Sequence, residues 1–276
     1  MPRKASAAKI AATAFLMVTG LYVVCVVGLT LAQRRLMYYP CHTELSKIES
    51  SMSEAGFRRW RNARGQFIGW VRYSPQQTRK SVLLLHGNAG CAPEWIHYAD
   101  GFQAAATGNF YIVEYPGYGG RPGKPSQKSI LNAAEDAVRS LDAHCRLYVV
   151  GESLGTGAAC YTAGKFDASV TGLLLVAPYN NMQAAAQSHM PLFPIRWMLK
   201  DKYTSDAWLR NYHGPLATVL GEKDTVIPHE LGQKLFDGFA GPKKLWLQTG
   251  ATHDDVHQFP KERWNEINAF WDNASK

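Results

Sequence analysis

Ile10 to Ala32 form one uninterrupted uncharged run, and beyond it the chain changes rhythm. At ~1.5 Å per residue such a run is long enough for a ~30 Å hydrocarbon core, so it predicts a transmembrane helix. From about residue 57 onward, short continuous apolar runs alternate with segments whose apolar residues recur every three or four positions. That alternation predicts a sheet with crossover helices. Residues 57–63 (FRRWRNA) and 67–74 (FIGWVRYS) read as a leading antiparallel pair. SVLLLHG, NFYIVEY, LYVVGES, VTGLLLVAP, PLATVLGE and KKLWLQTG then read as buried strands, because parallel strands covered on both faces are apolar throughout.

Helices are predicted between them. Ser126 can cap a helix that shows Ile130, Ala134, Ala137 and Leu141 on one face. Pro228 suits the first turn of another, running to about Gly238. A last helix carries Trp264, Ile267 and Trp271 on one side. The alternation breaks from Tyr179 to Tyr212, where no strand is visible but Met182, Met190, Phe193, Trp197 and Trp208 crowd together. An insertion of this length predicts a lid or binding element, against the plainer reading of a helical excursion packed on the sheet.

Charge changes the picture only at the N-terminus. The chain has a net charge of +8, and Arg3, Lys4, Lys9, Arg34 and Arg35 contribute five of those charges before residue 40 with no acid to offset them. The remainder is nearly balanced. Apart from Phe57-Arg58-Arg59-Trp60-Arg61 there is no basic stripe interleaved with aromatics, so no nucleic-acid partner is expected. The uncharged run exceeds the ~7–15 residues of a signal-peptide core, which favours a retained anchor over a cleaved leader. Arg3, Lys4 and Lys9 outweigh Arg34 and Arg35, so a single-pass protein with its globular part on the non-cytoplasmic side is expected. Tyr38 and Tyr39 are placed as interfacial anchors. Of the five cysteines, Cys25 falls in the span; Cys41, Cys91, Cys145 and Cys160 allow two disulfides but match no zinc or CxxC spacing, and Cys160 is expected to face the core.

Candidate chemistry centres on VVGESLGTGAA, residues 149–159. With 24 glycines in 276 residues, chance alone supplies roughly 0.1 matches to G-x-S-x-G, so context must decide. Ser153 follows a predicted strand and precedes a helix-compatible run. This is the setting in which small neighbours at Gly151 and Gly155 let a tight turn lift the hydroxyl out of the sheet. A serine is a weak nucleophile without a base, and the order on such a sheet is Ser, acid, His. Asp224 in VLGEKDTVIP and His253 in LQTGATHDD lie just past buried strands and meet that order.

Rivals exist for both. His257 competes with His253 as the base; His42, His97, His144, His189, His213 and His229 read as surface or packing residues. His253 and His257 have the spacing of a helical metal pair, but the glutamate of HExxH and a third ligand are missing, so no metal is expected. Glu222, Asp254 and Asp255 are the alternative acids. For an oxyanion hole, the residue after Ser153 offers the Leu154 N–H, and the loop His86 to Gly90 (HGNAG) offers the Asn88 N–H.

LLLHGNAG, VEYPGYGGRPGKPSQ, GESLG, VAPY, GEKDTVIP and GATHDD occur in the order seen in the α/β-hydrolase superfamily. The chain resembles in particular its Bem46-type membrane-anchored members, over about residues 36–272. The resemblance implies an α/β class, an eight-stranded, mostly parallel α/β-hydrolase sheet with flanking helices, a triad of Ser153, Asp224 and His253, and a short helical cap at about 179–212. It divides the chain into an anchor, 1–35, and a catalytic domain, 36–276. Glu114 stands where related sequences often have Asp, and Arg121-Pro122 replaces a small residue, which bears on substrate choice.

The expected function is a serine hydrolase acting without a cofactor on a carboxylic ester or thioester through an acyl-serine, with an acyl-chain substrate near the bilayer. An aminopeptidase or amidase of the same superfamily is the alternative, and would require a cap acid such as Asp201 or Asp206 to hold an amine. A third reading is a non-catalytic, membrane-tethered scaffold.

Overall fold

A computed structural model describes residues 3–41 and 43–274; His42 lies outside the described residues. Helix α1 (Arg3–Met37) is the predicted span, and its stretch from Ala7 to Met37 is long and apolar enough to cross a membrane. Helix α2 (Leu45–Glu54) buries Ile48 and Met52. The leading pair follows as β1 (Arg58–Arg61) and β2 (Phe67–Arg72), antiparallel as expected. Next come β3 (Lys80–Leu85), a short 3-10 turn at Ala92–Trp95, α3 (Ile96–Ala105), β4 (Asn109–Val113), α4 (Gln127–Arg139) and β5 (Arg146–Glu152). The rest is α5 (Leu154–Lys165), β6 (Val170–Val176), α6 (Met182–His189), α7 (Ile195–Met198), α8 (Ser205–Leu209), β7 (Leu216–Gly221), α9 (His229–Asp237), β8 (Lys243–Gln248) and α10 (Lys261–Ala274).

The strands form one eight-stranded sheet in the order β1-β2-β4-β3-β5-β6-β7-β8. From β4 to β8 every neighbouring pair is parallel, while β2 is antiparallel to β1 and β4. Alternation along the central strands divides the core. Leu83, Leu85, Leu147 and Val149 pack with α4 and α5 on one face, and Val82, Leu84, Tyr148 and Val150 with α3 and α10 on the other.

This order places the candidate chemistry. From β3 the chain goes first to β4 on one side and then crosses to β5 on the other, so β3 and β5 flank the topological switch point, where open α/β sheets leave a crevice at their carboxyl ends. Leu85 lies opposite Gly151 across these strands, which brings the loop after β3 beside the turn after β5.

Two expectations need correction. The β8 strand is half-exposed rather than buried, because it is an edge strand paired only with β7. Pro228 is the N-cap of α9, with extended backbone, and the first helical residue is His229. Ser126 does cap α4: its side chain accepts the Ser129 N–H. Trp264, Ile267 and Trp271 are all buried on α10, and Cys160 is buried as well.

Candidate active site

Ser153 sits between β5 and α5 with φ 48° and ψ −116°, a conformation unfavourable for an L-residue. Its surroundings hold it there. Its N–H donates to the Val176 carbonyl at 2.9 Å, and its own carbonyl accepts from the Thr156 hydroxyl at 2.6 Å and the Thr156 N–H at 3.0 Å. The flanking glycines are sterically required. A Cβ on Gly151 would meet Ala159 Cβ at 2.6 Å, and one on Gly155 would run into the Leu85 and His86 carbonyls.

Ser153 Oγ lies 2.9 Å from His253 Nε2, and His253 Nδ1 lies 2.7 Å from Asp224 Oδ2. The other oxygen, Asp224 Oδ1, accepts the N–H groups of Val226 and Ile227 at 2.9 and 2.7 Å. A carboxylate fixed by two backbone donors cannot rotate away from the ring it faces. The rival acids are engaged or turned elsewhere: Glu222 accepts from Gly250, Asp255 accepts from Thr252, and Asp254 is exposed. The rival base His257 faces His97, with ring centroids 4.6 Å apart.

Leu154 opens α5, so its N–H has no intrahelical acceptor. Asn88 is held through its side chain. Its Oδ1 accepts from the Tyr39 N–H at 3.0 Å and the Tyr118 hydroxyl at 2.8 Å, and its Nδ2 donates to the Met37 carbonyl at 2.6 Å. The loop that carries Asn88 is thus tied to the end of α1. Cys41 and Cys91 add a disulfide between the two segments, with Cα atoms 5.6 Å apart.

A cavity of about 720 Å³ opens over Ser153, Leu154, Asn88 and His253. Sequence reasoning missed one of its walls. Leu29, Thr30, Gln33 and Leu36 of α1 line it, facing Met182, Ala186, Met190 and Ile195 from the segment between β6 and β7. The trace in the sequence is the polar pair Thr30 and Gln33, one helical turn apart where the apolar run ends. His189, read as a surface or packing residue, also lines this cavity. Tyr38, read as an interfacial anchor, is buried instead, donating to Asp201 at 3.0 Å and sharing a 3.1 Å hydrogen bond with Tyr203.

Several buried titratable groups surround the site. Burial pushes Glu152 above the usual carboxylate range, and the Trp95 indole N–H donates to it at 3.0 Å. Burial pushes Glu114 up to about 7 and His86 down to about 4. His97, Glu152 and His257 bring one potential ligand atom each to within 4.8 Å of one another, a grouping that shares only His257 with the His253 and His257 spacing, from which no metal is expected.

Comparisons with known proteins bear on the family and the fold. A family model described as "Alpha/beta hydrolase family" matches residues 82–269. An uncharacterised protein of Mycobacterium tuberculosis is 28% identical over 232 residues, covering 81% of each chain. The "Lysophosphatidylserine lipase ABHD12" of Danio rerio is 28% identical over 209 residues, covering 67% of this chain and 54% of its own length. This chain therefore spans about half of that relative. Among solved structures, a putative lipase from Acinetobacter baumannii superposes with a TM-score of 0.63 at 14% identity, covering 85% of this chain and 97% of that one. A bacterial membrane phospholipase A superposes with a TM-score of 0.60 at 13% identity, covering 95% and 99%. Sheet order, the strained serine turn and the family match lead to one assignment: the chain belongs to the alpha/beta hydrolase family.

Proposed function

We propose that this chain is a membrane-anchored serine hydrolase of lipid acyl esters, with residues 1–35 as the anchor, 36–276 as the catalytic domain and 179–212 as its cap. The observation that carries the reading is the relay from Ser153 through His253 to Asp224, at 2.9 and 2.7 Å. Ser153 Oγ attacks the acyl carbon while His253 Nε2 takes its proton. Asp224 holds the Nδ1–H tautomer and stabilises the imidazolium. The N–H groups of Asn88 and Leu154 receive the tetrahedral oxyanion, an arrangement in which each donor is worth ~10²- to 10³-fold in rate. His253 then protonates the leaving alcohol or thiol, and water repeats the sequence on the acyl-serine.

The largely apolar cavity beside the anchor favours an acyl chain as the substrate's main binding element. The lipase relatives make a lysophospholipid the first substrate to test, with a thioester as the second. The amide reading loses its support, because Asp201 is bound by Arg34 and Asp206 lies at a separate cavity with His213 and Lys234. The Cys41–Cys91 disulfide favours an oxidising compartment and hence a catalytic domain on the non-cytoplasmic side.

The test is turnover of lysophospholipids, acyl thioesters and aminoacyl amides by wild type and Ser153→Ala, together with fluorophosphonate labelling. Labelling and ester turnover should both vanish in the variant. Unchanged turnover would overturn the mechanism, and preference for the amides would overturn the substrate class.

A further inference from the structure

We propose that the tip of the cap, Met190–Trp197, is immersed in the hydrocarbon of the bilayer, and that acyl chains pass from the leaflet to Ser153 between this tip and α1. The depth follows from α1 itself. A hydrocarbon core of ~30 Å takes ~20 helical residues. Lys9 is the last charge before the apolar run, so a span that begins at Ile10 reaches to about Leu29. Tyr22 lies seven residues before Leu29, roughly 10 Å inside the hydrocarbon on the side of the catalytic domain.

The cap meets α1 at that depth. The Tyr22 hydroxyl donates to the Leu192 carbonyl at 2.8 Å, and its ring stacks on Phe193 with centroids 5.8 Å apart. Farther along, Gln33 donates to the Met198 carbonyl at 3.0 Å and accepts the Lys200 N–H at 2.7 Å. Gln33 lies beyond Leu29, so the chain from 192 to 200 climbs out of the hydrocarbon towards the headgroups. Arg196 and Lys200 are exposed along this rise, where long basic side chains can reach phosphate.

The composition and hydrogen bonding of the tip fit that environment. Leu192 is 81% and Trp197 82% exposed, and no charge occurs from Met190 to Ile195. Irregular backbone in lipid must have its polar groups satisfied by protein, since no water is available. Gln187 Nε2 lies 3.1, 3.2 and 3.3 Å from the carbonyls of Met190, Pro191 and Phe193, and Tyr22 serves that of Leu192. The two N–H groups of Gln187 are thus shared among three carbonyls, and with Tyr22 four successive carbonyls have a side-chain donor within reach. Pro191 and Pro194 remove two N–H groups that would otherwise need acceptors.

The immersion rests on the anchor reading together with this geometry, whereas the loading route rests in addition on the acyl-ester reading. Two measurements separate them. The full chain is reconstituted in phosphatidylcholine vesicles whose acyl chains carry bromine at defined depths, and tryptophan emission is compared between W197F and the double variant L192W/W197F. Immersion predicts that the signal added at 192 is lost to mid-chain bromine, and that the wild-type signal from Trp197 is lost to bromine nearer the headgroup. Equal emission with and without bromine at both positions would overturn it. The loading route predicts that Leu192→Asp with Trp197→Asp lowers turnover of a long-chain ester held in vesicles by about tenfold or more, while a soluble short-chain ester is hydrolysed as by wild type. Equal loss, or no loss, on both substrates would overturn the route without touching the immersion. Absence of any ester turnover in wild type would count against the hydrolase reading and leave the quenching result standing.

Discussion

Arg34 and Asp201 join the two elements that wall the cavity: Nε lies 2.9 Å from Oδ2, and Nη2 lies 3.0 Å from Oδ1. The Asp201 side chain is 4% exposed and that of Arg34 51%, so the two ends of the pair are not equivalent. Removing Arg34 leaves a buried carboxylate with the Tyr38 hydroxyl as its remaining side-chain partner among the described residues, whereas removing the charge on Asp201 leaves a guanidinium that water can reach. Arg34→Ala should therefore destabilise by about 2 kcal/mol and Asp201→Asn by about 1 kcal/mol or less. Adding Asp201→Asn to Arg34→Ala should recover part of the loss. Thermal unfolding of the three variants in detergent checks this, and a double variant no more stable than Arg34→Ala would refute it.

Asn88 connects this wall to the proposed chemistry. An Asn88→Ala variant keeps the backbone N–H but loses the three side-chain hydrogen bonds to Met37, Tyr39 and Tyr118 that orient it. Its kcat should fall by about tenfold, less than the ~10²-fold or more expected when an oxyanion donor is removed outright. KM should stay close to that of wild type, because the N–H acts on the transition state. A rise in KM with unchanged kcat would show that Asn88 shapes the cavity only.

The sequence made the sheet legible because its parallel strands are buried on both faces and leave unbroken apolar runs, as in Val82 to Leu85 and Leu173 to Val176. Ser153, Asp224 and His253 were legible for a related reason. Ser153 and Asp224 follow such runs, His253 follows the edge strand β8, and strand order carries all three to one edge. The cavity was not legible in the same way. Its second wall is made by Leu29, Thr30, Gln33 and Leu36 at the end of an apolar run that already reads as a span, so no periodicity marks their second role. Tyr38 was misplaced because an aromatic residue after a span reads as interfacial, and nothing local announces Asp201 as its partner 163 residues away. Edge strand β8 was overcalled as buried because Leu245 and Leu247 look alike in sequence whether or not a further strand covers them.

The Cys41–Cys91 bridge closes a chain separation of 50 residues between the segment just after α1 and the loop that carries Asn88. Chain entropy alone assigns such a link about 4 kcal/mol. Cys91→Ser should lower the unfolding midpoint and should blunt ester turnover more than a surface cysteine change would. Mass spectrometry under non-reducing conditions should recover the 41 to 91 linkage from wild type and leave Cys145 and Cys160 as thiols. Recovery of both Cys41 and Cys91 as thiols from the native membrane would refute the assignment.

Glu114 and His86 lie under the Asn88 loop, both wholly buried, with Glu114 Oε2 3.8 Å from His86 Nε2. Glu114 Oε1 accepts the Ala92 N–H at 2.9 Å. Burial raises Glu114 to about 7 and lowers His86 to about 4, so each prefers its neutral form in the folded chain. The carboxyl thus contributes stability that is fully present below about pH 4.5 and lost as pH rises through 7. The imidazole has the opposite sign: its contribution is present above about 6.5 and lost as pH falls through 4. Over pH 4.5 to 6.5 the two slopes oppose each other, and wild type should vary little from this pair. Glu114→Gln removes only the first slope. Its stability relative to wild type should therefore rise with pH across 4.5 to 7, by about 3 kcal/mol in total. His86→Asn should show the mirror image, losing relative to wild type as pH rises from 4 to 6.5. Chemical unfolding at a series of pH values measures both differences, and His97, also lowered to about 4, cancels because it is present in every chain compared. A Glu114→Gln difference that stays flat from pH 4.5 to 7 would mean that the carboxyl is ionised in place, with a counter-charge in His86.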